Sequence, residues 1–212
     1  MSTEPALSWS DALRSRRLIF LTVGTVVFLV AALLSLNSYL QFNEQRAGVM
    51  LADPVLARLP AVELSSAIFA MIYGSLIATV ANLARQPRLL LIALQAYALL
   101  AVIRIGMMFT IPLEAPAGMI MLVDPLVRVF GGGENWAKDL FFSGHTSTTF
   151  LCALSARSRP IKLACFAACA TVAVLVLLQH VHYTIDVLVA PFVAYGSFRM
   201  ARHFSTRVLD AR

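Results

Sequence analysis

The stretch LIFLTVGTVVFLVAALLSLNSYL, residues 18–40, carries no charged side chain and decides the fold class of this chain. At about 1.5 Å of rise per helical residue, it is long enough to cross a hydrocarbon core of roughly 30 Å. The rest of the chain has the same character, since 59% of its 212 residues are hydrophobic and only 13% are charged. This composition lies outside the range of soluble domains. We therefore predict an all-α, polytopic membrane protein.

Further apolar segments follow the first one, and charged residues, Pro or Gly separate them. The predicted spans are residues 18–40, 63–83, 88–111, 141–156, 161–179 and 183–200. They predict a bundle of six transmembrane helices, residues 18–202, between an N-terminal segment, residues 1–17, and a basic tail, residues 203–212. Residues 112–138 form the longest connection and are rich in Pro and Gly, which is typical of a lid or a binding loop.

The formal charge of +6 does not indicate a nucleic-acid partner, because the basic residues lie in ones to threes between the apolar segments. No protein partner is evident from the sequence. Lys and Arg are retained on the cytoplasmic side of a membrane, and most of them fall before the first span, after the second, after the fourth and after the sixth. Both termini are therefore predicted to be cytoplasmic. The first span has no A-x-A cleavage site and is predicted to remain as a helix.

With this orientation, the unusual polar residues all fall at the outer ends of the spans. They are Arg104, the stretch Asp139-Leu-Phe-Phe-Ser-Gly-His-Thr-Ser-Thr-Thr149, and His180-Val-His-Tyr-Thr-Ile-Asp186. Polar residues are costly within a membrane, and incidental ones would be scattered over both leaflets. Their coincidence predicts a functional site on the exoplasmic side, periplasmic or luminal.

The residue types in these stretches suit phosphoryl transfer. His182 and Asp186 are four residues apart, so one helical turn brings a carboxylate to one ring nitrogen and leaves the other free as a nucleophile or base. His145 follows a predicted helix start at Ser143 and Gly144, where the helix dipole favours a phosphate. One histidine can attack phosphorus while the other protonates the leaving oxygen, and the charge of Arg104 stabilises the equatorial oxygens.

Other interpretations of the same residues remain open at this point. Ser143 can be a simple helix cap, His182 can be an interfacial histidine beside a capping acid, and Arg104 can be a partner in an interhelical salt bridge. His180, His182, Asp186 and His145 could bind zinc, but an H-x-H pair in a turn is a weak signal and we predict no metal and no cofactor. Cys152, Cys165 and Cys169 fall in apolar segments and are predicted to be reduced packing residues.

Two motifs resemble those of a known family. Phe142-Ser-Gly-His-Thr146 preceded by Asp139, with His180-Val-His-Tyr-Thr-Ile-Asp-Val187, resembles the catalytic motifs of the sphingomyelin synthase-related branch of the phosphatidic acid phosphatase type 2 superfamily. Arg104 with the following Met108, Thr110, Pro112 and Pro116 resembles the preceding motif of that branch, although the spacing differs by a couple of residues. The segment that begins at Asp53 also resembles the first exoplasmic segment of these proteins.

The resemblance implies a six-helix enzyme that works without a metal on the exoplasmic face. By position, His182 would be the nucleophile, Asp186 its orienting partner, and His145 the acid that protonates the departing oxygen. Asp139 matches the acid of the motif, and Arg104 would hold the phosphate.

The departures from the superfamily bear on the reaction. Phe142 replaces the proline of the classical lipid phosphatase motif, and Val176 with Leu177 fill the region of its serine-arginine pair. These differences favour a transferase that moves phosphocholine or phosphoethanolamine from a glycerophospholipid to a lipid alcohol such as ceramide, so that membrane lipids are both donor and acceptor. The alternative is a lipid phosphate phosphatase or phospholipase C-like hydrolase. A non-catalytic bundle with a polar, water-filled cavity is the third possibility.

Overall fold

A computed structural model describes residues 9–124 and 136–210 of the chain. Within these residues the fold is helical, and the sole strand-like pairing is an isolated bridge between Val49 and Leu113. The helices are α1 (Trp9–Arg14), α2 (Arg16–Glu44), α3 (Ser65–Leu83), α4 (Pro87–Thr110), α5 (Gly144–Ser155), α6 (Arg159–Leu178) and α7 (Thr184–Asp210), with a 3₁₀ turn at Leu56–Arg58. The predicted all-α class is confirmed for the described residues.

Among the described residues, 4 helices are long and apolar enough to cross a membrane, namely α2, α3, α4 and α6. These apolar helices indicate an integral membrane protein. Helix α5 has 12 residues and extends about 18 Å, which is shorter than the roughly 30 Å hydrocarbon core. Helix α7 has 27 residues and continues beyond the predicted span to Asp210, but it is less apolar because it contains Asp186 and Arg199. The described fold therefore supports four of the predicted spans by length and composition.

Two further predictions concern the C-terminal tail and the longest connection between helices. The predicted tail, residues 203–212, is helical as far as Asp210, because α7 continues through its basic residues. Part of the predicted Pro- and Gly-rich loop, residues 125–135, lies outside the described residues. The described part of that loop, residues 112–124, is non-helical.

Consecutive helices from α2 to α7 run in alternating directions. At one end of the bundle, Nη2 of Arg46 donates to the carbonyl of Phe109 at 3.3 Å, and the amide of Val62 donates to the carbonyl of Leu178 at 2.9 Å. We call this the loop end, since residues 45–64 and 111–124 lie there. At the opposite end, which we call the terminal end, Nε1 of Trp9 donates to the carbonyl of Ala84 at 2.5 Å.

Helix α4 packs mainly against α2, α5 and α7. Ala98 and Ala101 of α4 pack with Ala32 of α2 in a cluster of buried small residues, which lets the two backbones approach closely. Its other face contributes to a larger core with α5 and α7, which contains Ile92, Ala96, Leu100, Phe142, Leu151, Ala190, Ala194 and Ala201. The loop end of α4, where Arg104 lies, is therefore held beside the first turns of α5 and α7.

Candidate active site

The first turn of α5 is shaped by Ser143. Ser143 is the N-cap, and its side-chain oxygen accepts a hydrogen bond from the amide of Thr146 at 3.3 Å. The amide of Ser143 donates to the backbone carbonyl of Asp186 at 3.1 Å. This second bond joins the start of α5 to the start of α7, and it brings His145 close to the polar residues of α7.

His182 and Asp186 form a fully buried pair. Nδ1 of His182 lies 3.3 Å from Oδ2 of Asp186, and both side chains have an exposed fraction of 0%. Oδ2 also accepts a hydrogen bond from the amide of Tyr183 at 3.2 Å. The sequence predicts both residues on one helical turn, whereas α7 begins only at Thr184 and His182 lies in the turn before it. The contact forms nevertheless, because the side chain of Asp186 extends back towards the N-terminus of α7 and reaches Tyr183 and His182.

The two histidines contact each other directly. Nδ1 of His145 lies 3.2 Å from Nε2 of His182, and the ring centroids are 5.4 Å apart. When Asp186 accepts the Nδ1 proton of His182, Nε2 of His182 has a free lone pair and accepts the proton that His145 carries on Nδ1. The three side chains thus form one hydrogen-bonded chain, Asp186 to His182 to His145, whose outer member is partly exposed.

Arg104 and Asp139 form an ion pair next to this chain. Nη2 of Arg104 lies 2.7 Å from Oδ1 of Asp139, and their side chains are 12% and 22% exposed. The guanidinium lies against the Cα of Gly144, where a Cβ atom would overlap it. Glycine at this position therefore allows a fixed positive charge to reach the first turn of α5, one residue before His145.

The structure brings together the seven residues that the sequence predicts for phosphoryl transfer. Asp186, His182 and His145 form one group, Arg104 and Asp139 form the other, and Ser143 with Gly144 joins the two. All of them lie at the loop end of the bundle. Such a cluster combines a buried carboxylate-histidine pair, a second imidazole and a guanidinium, which together can supply a nucleophile, a general acid and a positive charge for phosphoryl transfer.

His180 lies apart from this cluster. Its Nδ1 is 3.0 Å from the carbonyl oxygen of Ala117, and its Nε2 is 3.2 Å from the carbonyl oxygen of Leu59. The side chain therefore contacts two loops and does not face His182. Within residues 9–124 and 136–210, no group of three His, Cys, Asp or Glu residues is arranged to hold a metal ion.

Asp53 is a supporting residue whose role the sequence does not reveal. Its Oδ2 accepts from the amide of Thr184 at 2.6 Å, and its Oδ1 accepts from the hydroxyl of Thr184 at 3.0 Å and the amides of Val55 and Leu56. Burial, the largest single influence, raises the pKa of Asp53, but hydrogen bonds from Thr184, Leu56 and Val55 together hold it below the usual 3.8. A carboxylate from the first long loop thus caps the N-terminus of α7, which begins two residues after His182.

Tyr183 and Gln179 hold the turn between α6 and α7. The hydroxyl of Tyr183 donates to the carbonyl of Glu114 at 2.9 Å and accepts from the amide of Leu51 at 3.2 Å. The side chain of Gln179 accepts from the amide of Leu64 at 2.9 Å and donates to the hydroxyl of Ser65 at 3.0 Å. No local sequence signal indicates these contacts, because each joins segments far apart in the chain.

Comparison with known families places this cluster in context. Residues 138–204 match the family described as PAP2 superfamily C-terminal. The matched residues include Asp139, His145, His182 and Asp186, while Arg104 precedes them. No curated protein matches the chain. The match supports a relationship to the phosphatidic acid phosphatase type 2 superfamily and does not distinguish its sphingomyelin synthase-related branch. Members of this superfamily are typically enzymes acting on phospholipids, so the match fits phosphatase or phosphotransferase chemistry.

Proposed function

We propose that the protein is a membrane phospholipid head-group transferase with His182 as its nucleophile. It moves phosphocholine or phosphoethanolamine from a glycerophospholipid to a lipid alcohol such as ceramide and needs no cofactor. The observation that carries the proposal is the hydrogen-bonded chain from Asp186 through His182 to His145, with the guanidinium of Arg104 beside it.

In the first half of the reaction, Nε2 of His182 attacks the phosphorus of the donor lipid. An N–P bond forms, the P–O bond to diacylglycerol breaks, and the departing oxygen takes a proton from His145. Asp186 holds the Nδ1 proton of His182, which keeps the attacking nitrogen unprotonated and stabilises the positive charge that develops on the ring. The products are diacylglycerol and a His182 that carries phosphocholine or phosphoethanolamine on Nε2.

The contact between the histidines has to open before this step. Nδ1 of His145 lies 3.2 Å from the attacking nitrogen of His182, so the two rings leave no room for phosphorus between them. Substrate binding therefore separates the rings and exchanges the hydrogen bond to His182 for one from His145 to the leaving oxygen. The partial exposure of His145, against the full burial of His182, makes His145 the ring that moves.

Arg104 stabilises the phosphate in this proposal. Its guanidinium lies against Gly144 at the start of α5, where the helix dipole also favours negative charge. Asp139 orients the guanidinium through their 2.7 Å ion pair, and Ser143 holds the helix start. The equatorial oxygens of the transition state thus face a fixed positive charge.

In the second half of the reaction, an acceptor hydroxyl gives its proton to His145 and attacks phosphorus, and the N–P bond to His182 breaks. With a lipid alcohol as acceptor the product is a new phospholipid. With water as acceptor the same site is a hydrolase. The departures at Phe142 and residues 176–177 from the classical lipid phosphatase motifs favour the transferase.

The proposal also includes the orientation of the bundle. Residues 18–202 cross the membrane six times with both termini in the cytoplasm, which puts the loop end and its cluster on the exoplasmic side. The excess of Lys and Arg at the terminal end supports this orientation. Helix α5 ends at the terminal end, where the amides of Arg157 and Ser158 donate to the side chain of Asn82. Its 12 residues alone do not span the core, so the non-helical residues before it complete the crossing towards the loop end.

The test is to follow head-group label in liposomes that contain the purified full chain. Phosphatidylcholine and phosphatidylethanolamine, each labelled in the head group, are supplied with and without ceramide. We expect the label to move to a ceramide-based lipid, and His182→Ala to abolish the transfer while the protein still folds. Label released to water in the presence of ceramide would identify a hydrolase. Phosphatidic acid is supplied in a parallel sample. If it is consumed while neither labelled phospholipid is, the protein is a lipid phosphate phosphatase.

A further inference from the structure

A cavity lies away from the histidine cluster, towards the terminal end of the bundle. It has a volume of about 720 Å³ and lies between α2, α4 and α7. Its lining is almost entirely apolar and includes Phe28, Leu99 and Phe204. This volume falls within the roughly 300–1,000 Å³ of small-molecule sites. Because α2 and α4 are apolar enough to span a membrane, the surroundings of this cavity are hydrocarbon.

One polar side chain in this cavity has an unmet hydrogen-bonding group. Gln95 lines the cavity and is 6% exposed, and its Nε2 donates to the hydroxyl of Thr25 at 2.8 Å. Its Oε1 has no hydrogen-bond partner among the described residues. A buried amide oxygen without a donor is costly, and in hydrocarbon no water is at hand to satisfy it. A ligand with an N–H or O–H group could donate a hydrogen bond to this oxygen.

The mouth of the cavity has a charge suited to a lipid. Arg17 lines the cavity at the terminal end, in the first turn of α2. Arginine at the end of a membrane helix extends its charge to the level of the lipid head groups. The cavity thus has an apolar body, an acceptor in its wall and a cation at its mouth.

We propose that this cavity binds a membrane lipid that carries an amide or hydroxyl donor beside its hydrocarbon chain. The chain fills the space between α2 and α7, the donor bonds to Oε1 of Gln95, and the polar head faces Arg17. Binding here does not involve the histidine cluster, so it can be measured without turnover and independently of the proposed transferase activity.

Gly24 offers a variant that fills the cavity without disturbing the helix. It lines the cavity, and a Cβ atom added there would meet nothing within 4 Å. Gly24→Leu therefore adds a side chain to the lipid space and leaves the packing of α2 unchanged. Gly74→Leu is the matched control, because Gly74 lies in α3, outside the cavity, and also has nothing within 4 Å of an added Cβ. Both variants replace a helical glycine by a better helix former.

The experiment is native mass spectrometry of the full chain in detergent with N-oleoylethanolamine as the probe. Methyl oleate, which has the same chain and no donor, is the matched ligand. We expect a one-to-one complex with N-oleoylethanolamine, and we expect Gly24→Leu but not Gly74→Leu to weaken it by about tenfold or more. Equal binding to the wild type and Gly24→Leu would mean annular lipid only and would overturn the proposal.

The role of Gln95 is tested with the same two lipids. Gln95→Leu keeps the size of the side chain and removes the amide oxygen. We expect this variant to bind N-oleoylethanolamine and methyl oleate equally, whereas the wild type prefers N-oleoylethanolamine. A wild type that binds both lipids equally, or a variant that retains the preference, would overturn recognition of the donor by Gln95.

Discussion

The guanidinium of Arg104 lies directly against the Cα of Gly144, in the space that a Cβ atom would occupy at any other residue. Arg104 comes from the loop end of α4, and Gly144 is the first residue of α5. The contact therefore sets the distance between a fixed cation and His145, which follows Gly144 directly. A Cβ atom at position 144 would meet the end of the Arg104 side chain, so a substitution there would displace the guanidinium from its place beside Asp139.

Gly144→Ala is predicted to impair catalysis far more than stability. The added methyl group displaces the guanidinium, and loss of one positioned group that stabilises transition-state charge lowers kcat by roughly 10²-fold to 10³-fold. Head-group transfer and thermal unfolding are measured on the same preparation. Gly106→Ala is the control, because a Cβ atom there meets nothing within 4 Å on the helix that carries Arg104. Unchanged turnover by Gly144→Ala would argue against a role of Arg104 in catalysis.

Asp186→Asn is predicted to lower kcat by about 10³-fold to 10⁴-fold, by analogy with the carboxylate of a serine protease triad. The substitution preserves size but removes the charge that orients His182 and stabilises its cationic form. Transfer kinetics and circular dichroism measure the effect. Asp124→Asn is a matched control outside the cluster, where the carboxylate accepts from the hydroxyl of Tyr73 at 2.6 Å. Equal losses in both variants would indicate a general effect on folding.

The apolar helices and the proximity of the candidate site residues could be predicted from the sequence, because both leave local signals. Apolar runs marked α2, α3, α4 and α6, and the spacing of His182 and Asp186 indicated their contact. The start of α5 at Gly144 could not be predicted from hydrophobicity, because the predicted span begins at Phe141. Phe141 and Phe142 are apolar but not helical.

Long-range support of the site could not be predicted. Asp53 caps a helix that begins 131 positions later in the chain, and the separation leaves no pattern in the sequence. The same holds for Gly144, whose glycine is required by a side chain from another helix and not by its own backbone angles. Contacts of this kind follow from the packing of helices, which periodicity does not specify.

Asp53→Asn is predicted to reduce the free energy of unfolding by about 1 kcal/mol and to change its pH dependence, because both carboxylate oxygens accept hydrogen bonds and the amide replaces one acceptor by a donor. The pKa of Asp53 is lower in the folded protein than the unfolded value of 3.8. Its charge therefore stabilises the fold fully above that value, and this contribution is lost as the pH falls through the lower folded value. Thermal unfolding in detergent between about pH 6 and about pH 3 measures the difference from wild type, which should shrink on acidification. A difference that is constant with pH would exclude the ionised carboxylate as the cause.

Cysteine labelling is predicted to show opposite locations for the two ends of the bundle. Cys152, Cys165 and Cys169 are buried, so background labelling of the folded chain is low. Val49→Cys introduces a thiol at the loop end, where Val49 is 62% exposed, and Ala84→Cys introduces one at the terminal end. A membrane-impermeant maleimide applied to the exoplasmic side should label only Val49→Cys. The reverse pattern would overturn the proposed orientation.

Removal of divalent metal ions is predicted to leave transfer unchanged. In the proposed mechanism the nucleophile is a ring nitrogen of His182 and the positive charge is the guanidinium of Arg104, so no step requires a metal. Transfer is measured after dialysis against EDTA, with a zinc-dependent phosphatase in the same buffer as the control. Loss of transfer that added zinc restores would overturn the metal-free mechanism.

The capping of Thr184 by Asp53 has a consequence for biosynthesis. A ribosome makes the first long loop before α7, so α2 to α6 are synthesised while Asp53 has no helix to cap. The buried pair of His182 and Asp186 forms only when α7 has folded and packed against the other helices. A chain that stops before α7 therefore lacks Asp186 and cannot form the buried carboxylate-histidine pair.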